Sequence, residues 1–448
     1  MTQVTDGTGL YLSRFAELEK RSASDGSAWL APVREEAMSR FARMGFPSMR
    51  LESWKYFNAG PIRRTAFKHV LERDRVTLKA ERLRPFQVHC LPCALLVFVD
   101  GYYEPVLSSM QTLPDGVVVG DLATALKAHP AVLERHLARH AAFDTHPFVA
   151  LNTALLHDGA FVRVPKGRVV QEPIHLLFVS TGMGGPTVSH PRTIVVVEDG
   201  AQLTLIEDYV SLDEATYFTN PVTEVILEEG AVLDFYKLER ESKQAFHVGA
   251  MQVHQSRNSS FSSTSIALGG HLVRNDVHAV LDGEGASCTL NGLNILGDRQ
   301  LVDDHTCIMH AKPHGTSQEL YKSILDGHAE GVFNGEIYVA QDAQKTSSQQ
   351  TNKSLVLSKH ALMNTKPQLK IYADDVKCSH GAAIGELEKD ALFYLRARGI
   401  DYETSRRILT YAFASDVVER IRLEPLRKTV ESLLLSFIPR GTDAKEPC

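Results

Sequence analysis

Short apolar runs separated by turn residues dominate the chain between about Ala94 and Ile384. Runs of four to six residues, rich in Val, Ile, Leu and Phe, alternate with Asp-Gly or Glu-Gly pairs, which favour tight turns. The clearest predicted strands are 193–197, 203–206, 222–227 and 231–236. Helical periodicity is almost absent for roughly 200 residues. A β-sandwich or β-barrel domain usually ends by about 250 residues. Stacked solenoid coils can continue, so we predict a β-helix, although the turn spacing follows no strict repeat.

Helical periodicity flanks this β region at both ends. Apolar residues recur at helical spacing from Leu10 to about Arg43, with a polar break at 24–27 and a stop at Pro47. After Ile384 three further helices are predicted. Their apolar stripes contain Leu387, Ala391 and Leu395; Leu409, Phe413, Val417 and Ile421; and Leu426, Val430, Leu433, Leu434 and Phe437. Gly399 is a natural helix stop, Asp401 is an N-cap, and Pro425 opens the last helix.

The resulting domain boundaries are 1–85 for an N-terminal helical domain, 86–383 for the β-helix core and 384–448 for a C-terminal helical domain. The last residues, 441–448, form a polar tail that we expect to be frayed. The expected class is therefore mainly β with helical ends.

Composition excludes several classes of function. The chain has 48 Lys and Arg against 54 Asp and Glu, a net charge of −6, which argues against nucleic acid or an anionic membrane as the main partner. The N-terminus lacks a signal-peptide pattern and the apolar runs are too short to span a bilayer, so we expect a cytoplasmic protein. No phosphate-binding glycine motif and no G-x-S-x-G nucleophile elbow is present.

The six cysteines are few and scattered, which favours buried thiols, metal ligands or reactive groups over disulfides. Cys90 and Cys93 have the C-x-x-C spacing of redox motifs, but they precede a predicted strand at 94–99, and redox pairs open helices. Structural packing is the favoured interpretation.

A second candidate lies at 303–310, where His305 and Cys307 alternate onto one face of a strand, followed by His310 and His314. Such alternation suits metal ligands. No pair here has zinc-finger spacing, so a turn rich in polar histidines is the plainer alternative.

The most distinctive segment is 366–381. Leu369, Ile371 and Ala373 alternate as a half-buried strand, and Cys378 and His380 follow just before a glycine. Two residues apart in extended chain, their side chains project to the same side. A thiolate and an imidazole so placed can ligate iron or accept sulfur, and Lys377 would favour the thiolate. A polar strand end with one buried cysteine explains the pattern equally well.

Several ordered segments together resemble the SufB/SufD family of iron–sulfur cluster assembly proteins. They are 366–381, 323–339, 344–346, 352–357 and the Trp54-Lys55-Tyr56 element that follows Arg50 and Glu52. The resemblance covers essentially the whole chain and implies a right-handed parallel β-helix between helical ends. Asn352, at the position where the SufB branch would carry its assembly cysteine, and the Cys378-Ser-His380 sequence both point to the SufD branch.

The resemblance implies a scaffold and not an enzyme. The chain would pair with a SufB-like scaffold at a nascent iron–sulfur cluster site, where His380, and with less support Cys378, would be interface residues and cluster ligands. The C-terminal helices, with Leu387, Leu395, Leu409, Phe413 and Val417, would dock a SufC-like ATPase. Each apolar side chain taken singly is more often intradomain core.

A cysteine desulfurase and a sulfur carrier would act indirectly. Cluster type, flavin binding to the complex and homodimerisation of the isolated chain stay open. The alternatives are a SufB-like paralogue and a β-helix enzyme acting on polysaccharide.

Overall fold

Strands fill the middle of the chain and helices its two ends. The structure is a computed structural model that describes residues 7–22, 29–70, 78–88 and 91–437. The predicted break at 24–27, Cys90 and the tail at 441–448 lie outside these residues. The helices are α1 (Gly7–Ser22), α2 (Leu30–Met44), α3 (Gly60–Arg64), α4 (Leu122–Ala128), α5 (Pro130–His136), α6 (Pro147–Leu155), α7 (Lys389–Ala397), α8 (Tyr402–Val418) and α9 (Glu424–Phe437), with 3-10 turns at Glu52–Trp54 and Ala80–Phe86.

The strands are β1 (Lys68–His69), β2 (Ala94–Val99), β3 (Tyr102–Tyr103), β4 (Val118–Asp121), β5 (Gly159–Val164), β6 (Ile174–Ser180), β7 (Thr187–Ser189), β8 (Arg192–Val197), β9 (Gln202–Ser211), β10 (Tyr217–Thr219), β11 (Val222–Leu227), β12 (Val232–Arg240), β13 (Phe246–Gln255), β14 (Ser260–Ala267), β15 (Leu272–Leu281), β16 (Ser287–Leu296), β17 (Leu301–His310), β18 (Thr316–Leu325), β19 (Glu330–Val339), β20 (Ser347–Val356), β21 (Leu362–Ile371) and β22 (Lys377–Gly385). All four segments singled out as strands in the sequence fall within β8, β9, β11 and β12 or overlap them.

Successive long strands alternate between two sheets. The first sheet runs in the order β4-β5-β8-β11-β13-β15-β17-β19-β21 and the second β3-β2-β6-β9-β12-β14-β16-β18-β20-β22. From β5 and β6 onwards every pairing along these orders is parallel. One coil contributes one strand to each sheet, and eight coils stack between Gly159 and Gly385. The predicted parallel β-solenoid with helical ends is confirmed.

The interior of the solenoid changes from apolar to polar along its length. Residues that alternate inward stack in register from coil to coil, because the side-chain period of a strand is two. One such interior column on the second sheet contains, in order, Leu203, Leu233, Phe261, Cys288, Ser317, Ser348 and Cys378. Apolar side chains thus fill the interior of the early coils, whereas the interior of the last coils contains hydroxyl, amide and carboxyl groups.

The helical ends cover the outer faces of the two sheets. Aromatic side chains of the N-terminal helices pack with Phe218 and Phe246 of the first sheet. Val417, Ile421 and the stripe of α9 pack on apolar residues of the second sheet. None of the helices in the described ranges is both long and apolar enough to cross a bilayer.

The predicted ends of the helices agree with the structure. α2 ends at Met44, three residues before the predicted stop at Pro47, and Gly399 follows α7 with φ +86°. Asp401 accepts a hydrogen bond from the Thr404 backbone N–H, and Pro425 lies in the first turn of α9. The sequence did not indicate α4, α5 and α6. Every residue of α6 is buried, so no polar face reveals its period.

Candidate functional site

The last coil of the solenoid, formed by β21 and β22 and called here the terminal coil, has an uncovered edge. Among the described residues β21 pairs only with β19 and β22 only with β20. Nearly all of β22 is exposed, as are Leu362, Tyr372 and Ile384. Two parallel strands of nine and ten residues therefore present unpaired backbone N–H and C=O groups, which can pair with strands of another chain.

Cys378 and His380 lie on this coil and share its inward-facing side. Cys378 is half-buried and packs against the interior apolar cluster, whereas Ser379 between them is exposed on the other side. His380 is exposed because no further coil stacks on β22 in the described structure. The two side chains are about 6.6 Å apart along the strand. The structure thus brings together the two site residues that the sequence singled out.

Lys377 does not activate the neighbouring thiol. Burial raises the pKa of Cys378, and a hydrogen bond with the Ser348 backbone only partly offsets this effect. Adjacent strand residues point to opposite faces, so the Lys377 ammonium is directed away from the thiol. The expectation that Lys377 would favour a thiolate is wrong for the isolated chain.

Polar side chains from earlier coils lie beneath both residues. Under Cys378, the Ser348 Oγ and Ser317 Oγ atoms are 2.8 Å apart, and His310 Nε2 is 2.9 Å from Ser317 Oγ. Sequence reasoning did not find these partners, because they are about 30 and 60 residues away along the chain and only the coil register reveals them.

A second column lies beneath His380. Gln350 is its register partner on β20, and Glu319 is the partner of Gln350 on β18. Gln350 Nε2 donates to Glu319 Oε2 at 2.6 Å. Burial raises the pKa of Glu319 to about 7, against the lowering effect of nearby Thr306 and of the hydrogen bond from Gln350.

The histidine-rich segment at 303–310 forms no metal site within the described residues. His305 and Cys307 do share a face and line a cleft of about 460 Å³ between the N-terminal helices and the first sheet. His310 points into the solenoid and His314 lies in an exposed turn. No group of three or more His, Cys, Asp or Glu in the described parts is arranged to hold a metal. Of the two interpretations of this segment, polar histidines fit this arrangement better than a metal site does.

Cys93 behaves as a packing residue. It contacts the apolar cluster around β2, and burial, with a contribution from Glu172, raises the pKa of its thiol to about 11. A thiol with such a pKa is unreactive at neutral pH, which fits the structural interpretation.

The stripes predicted to dock a partner point mostly toward the second sheet. Val417 is fully buried there and contributes to the core, because its side of α8 faces the solenoid. Leu387 and Phe413 are partly buried against the same cluster, and Leu395 is half-buried. Leu387, Leu409 and Phe413 line a groove of about 480 Å³ between the helices and the sheet.

Other apolar residues of these helices face outward. Phe393 is 74% exposed, Tyr394 56% and Ile408 42%. Sequence reasoning passed over them, although two adjacent aromatic residues in α7 break its apolar spacing and were a usable signal.

Comparisons with known proteins place most of the chain in one group. The family described as "SUF system FeS cluster assembly, SufBD core domain" matches residues 178–413, and "SufBD protein N-terminal region" matches residues 6–176. An iron–sulfur cluster assembly SufBD family protein of Synechocystis is 33% identical over 89% of both chains. The iron–sulfur cluster assembly protein SufD of Escherichia coli is 31% identical over 92% of this chain and 94% of its own length. SufB of Bacillus subtilis is 24% identical over 69% of this chain and 66% of its own.

Proposed function

This chain belongs to the SufBD family of iron–sulfur cluster assembly proteins, and from that premise we propose that it is a SufD-type scaffold subunit. It performs no catalysis itself and works in the cytoplasm. It pairs with a SufB-like scaffold, and the nascent cluster assembles between the two chains as their shared cargo. Family membership favours this role over a polysaccharide-acting enzyme.

The uncovered terminal coil is the observation that supports the proposal most. Cys378 and His380 lie on an exposed edge strand, so a partner whose own strands pair there brings its ligands to the same place. An imidazole and a thiol are ligands that iron accepts, and neither site residue is tied up in an ion pair in the described structure. The partner would complete the ligand set and exclude water.

The exposed apolar patch of the C-terminal helices, formed by Phe393, Tyr394 and Ile408, is the proposed docking surface for a SufC-like ATPase. All three side chains are exposed, and Phe393 alone leaves three quarters of its surface in water. Burial of such aromatic side chains stabilises protein interfaces.

Asn352 favours the SufD type over the SufB type. Its side chain is fully buried and donates to the Tyr321 carbonyl at 3.3 Å, a packing role that leaves no thiol at this position. The longer match to SufD than to SufB relatives points the same way.

The test is cluster assembly by the complex of this chain with its SufB-like and ATPase partners. We expect His380→Ala to abolish cluster formation while the three chains still copurify, and Ser379→Ala, on the opposite face of the same strand, to have no effect. Full assembly by the His380→Ala complex would refute the site. In the same pull-down Phe393→Ser should release only the ATPase, with Val106→Ser, which alters an exposed apolar residue outside the C-terminal helices, as control.

A further inference from the structure

The interior column beneath His380 consists of two buried polar residues in direct contact. Glu319, Gln350 and His380 occupy equivalent positions on β18, β20 and β22, so their side chains stack on one face at the strand spacing of about 4.8 Å. Glu319 is 3% exposed and Gln350 is fully buried. The column therefore reaches from the solenoid interior to its open end.

The Gln350 amide is held in one orientation. Its Nε2 donates to Glu319 Oε2 at 2.6 Å, on the side away from β22. Gly335 on the facing sheet allows this arrangement, since a Cβ there would lie 2.4 Å from Nε2. With Nε2 committed to Glu319, the acceptor Oε1 stays buried and without a hydrogen-bond partner among the described residues. A buried amide oxygen with no donor is uncommon and costs stability.

His380 is the residue in register with this free acceptor. A neutral imidazole carries one N–H and one lone pair, and a metal ligand must offer the lone pair to the metal. Ligating histidines almost always donate their other ring N–H to an acceptor, which fixes the tautomer and the ring orientation.

We propose that Gln350, anchored by Glu319, accepts a hydrogen bond from one ring N–H of His380 and so directs the other ring nitrogen out of the solenoid toward the nascent cluster. Gln350 and Glu319 are positioning residues and do not touch the cargo. The inference rests on the proposed function for its purpose, but the proposed hydrogen bond needs no partner chain, so it can be tested in the isolated chain.

The tautomer of His380 tests the hydrogen bond directly. In the isolated chain labelled with 15N-histidine, the resonances missing from His380→Ala identify this ring, and we expect a single dominant tautomer in the neutral form. Gln350→Leu should give a mixture of both tautomers. Asn352→Leu is the matched control, because Asn352 is equally buried on the same strand and its register partner, Ala382, has no ring. An unchanged tautomer in Gln350→Leu overturns the proposal.

Glu319 variants keep the test decisive if Gln350→Leu fails to fold. Glu319→Gln retains an acceptor for Gln350 and should preserve the tautomer, whereas Glu319→Leu should release the amide and mix the tautomers. Equal behaviour of these two variants also overturns the proposal.

Assembly by the complex separates this inference from the proposed function. We expect Gln350→Leu to slow cluster assembly by at least about tenfold, as loss of an outer-shell partner does, and Asn352→Leu to leave the rate within about twofold. If His380→Ala assembles clusters normally, the proposed function fails, while a tautomer change in Gln350→Leu still supports the hydrogen bond. If His380→Ala is inactive and Gln350→Leu assembles at the wild-type rate, the positioning role is refuted.

Discussion

Arg274 connects the N-terminal helices to the solenoid, and its replacement by methionine should loosen that connection strongly. The guanidinium is 2% exposed and makes a bidentate pair with Asp276 through two hydrogen bonds of 2.8 Å. It also donates to Asp303 Oδ2 and to the Ser53 carbonyl, each at 2.8 Å. Its centre lies 3.8 Å from the centroid of the Trp54 ring, in the element that the sequence analysis singled out.

The expected magnitude follows from the charges left behind. Arg274→Met removes the cation from between Asp276 and Asp303, and breaking one side of a buried ion pair costs about 3–5 kcal/mol. Since about 1.4 kcal/mol is a factor of ten, local opening should increase by roughly two to nearly four orders of magnitude. Converting both partners as well, in Arg274→Met/Asp276→Asn/Asp303→Asn, should recover most of the loss, because no uncompensated charge remains.

The pH dependence has a definite sign. Burial would raise the pKa of Asp276, but Arg274 and His146 outweigh it and hold that pKa well below its usual range. The wild-type contribution is therefore present at neutral pH and is lost only under strong acid. Without Arg274, we expect burial to raise the pKa of Asp276 above that of the unfolded chain. The deficit of Arg274→Met should then be largest at pH 8 and smaller at pH 5.

Hydrogen exchange measured by mass spectrometry checks these expectations. The informative peptides cover residues 51–57 and β15, and rates are compared as ratios to wild type at each pH. A ratio below about threefold for Arg274→Met, or a triple variant no better protected than the single one, would refute the reasoning. Arg274→Lys, which keeps the charge but loses the bidentate geometry, should fall between wild type and Arg274→Met.

Two further predictions concern the solenoid interior. Gly335→Ala should lower the stability by about 1–3 kcal/mol in thermal unfolding, because the added Cβ would lie 2.4 Å from Gln350 Nε2 and 2.7 Å from the Phe333 ring. Gly381→Ala, which meets nothing within 4 Å, should change it by less than about 0.5 kcal/mol, and equal effects would contradict the packing. Burial raises the pKa of Asp304 to about 7, so wild-type stability should fall as pH rises from 5 to 7, by up to about 1.4 kcal/mol per pH unit. Asp304→Asn should flatten this slope in urea unfolding, and an unchanged slope would show that Asp304 does not take up the proton.

Local patterns in the sequence predicted the elements well. Turn pairs and β-branched runs marked strands such as β11, whose bounds match the predicted 222–227, because both signals lie within a few residues. The same locality places Cys378 and His380 on one face, since a strand alternates whatever it pairs with. Where the local signal was absent, as in the fully buried α6, the prediction failed.

The local sequence does not show which neighbour the apolar stripe of a helix faces. An apolar stripe shows that a helix has a buried face, but not whether that face meets its own domain or a partner. Packing on the second sheet places Val417 in the core, whereas Phe393, which the predicted stripes did not include, is exposed.

The amino-acid sequence alone determined a solenoid of short strands with helical ends and a Cys378-Ser-His380 strand within it. Only the tertiary structure decided which side chains lie beneath that strand, because each parallel coil contacts residues a full turn earlier. The offset varies, from 26 residues between Phe246 and Leu272 to 33 between Gly159 and Arg192, as turns of different length close each coil. No local pattern reports that offset, so the placement of Gln350 and Glu319 beneath His380 followed from register and packing.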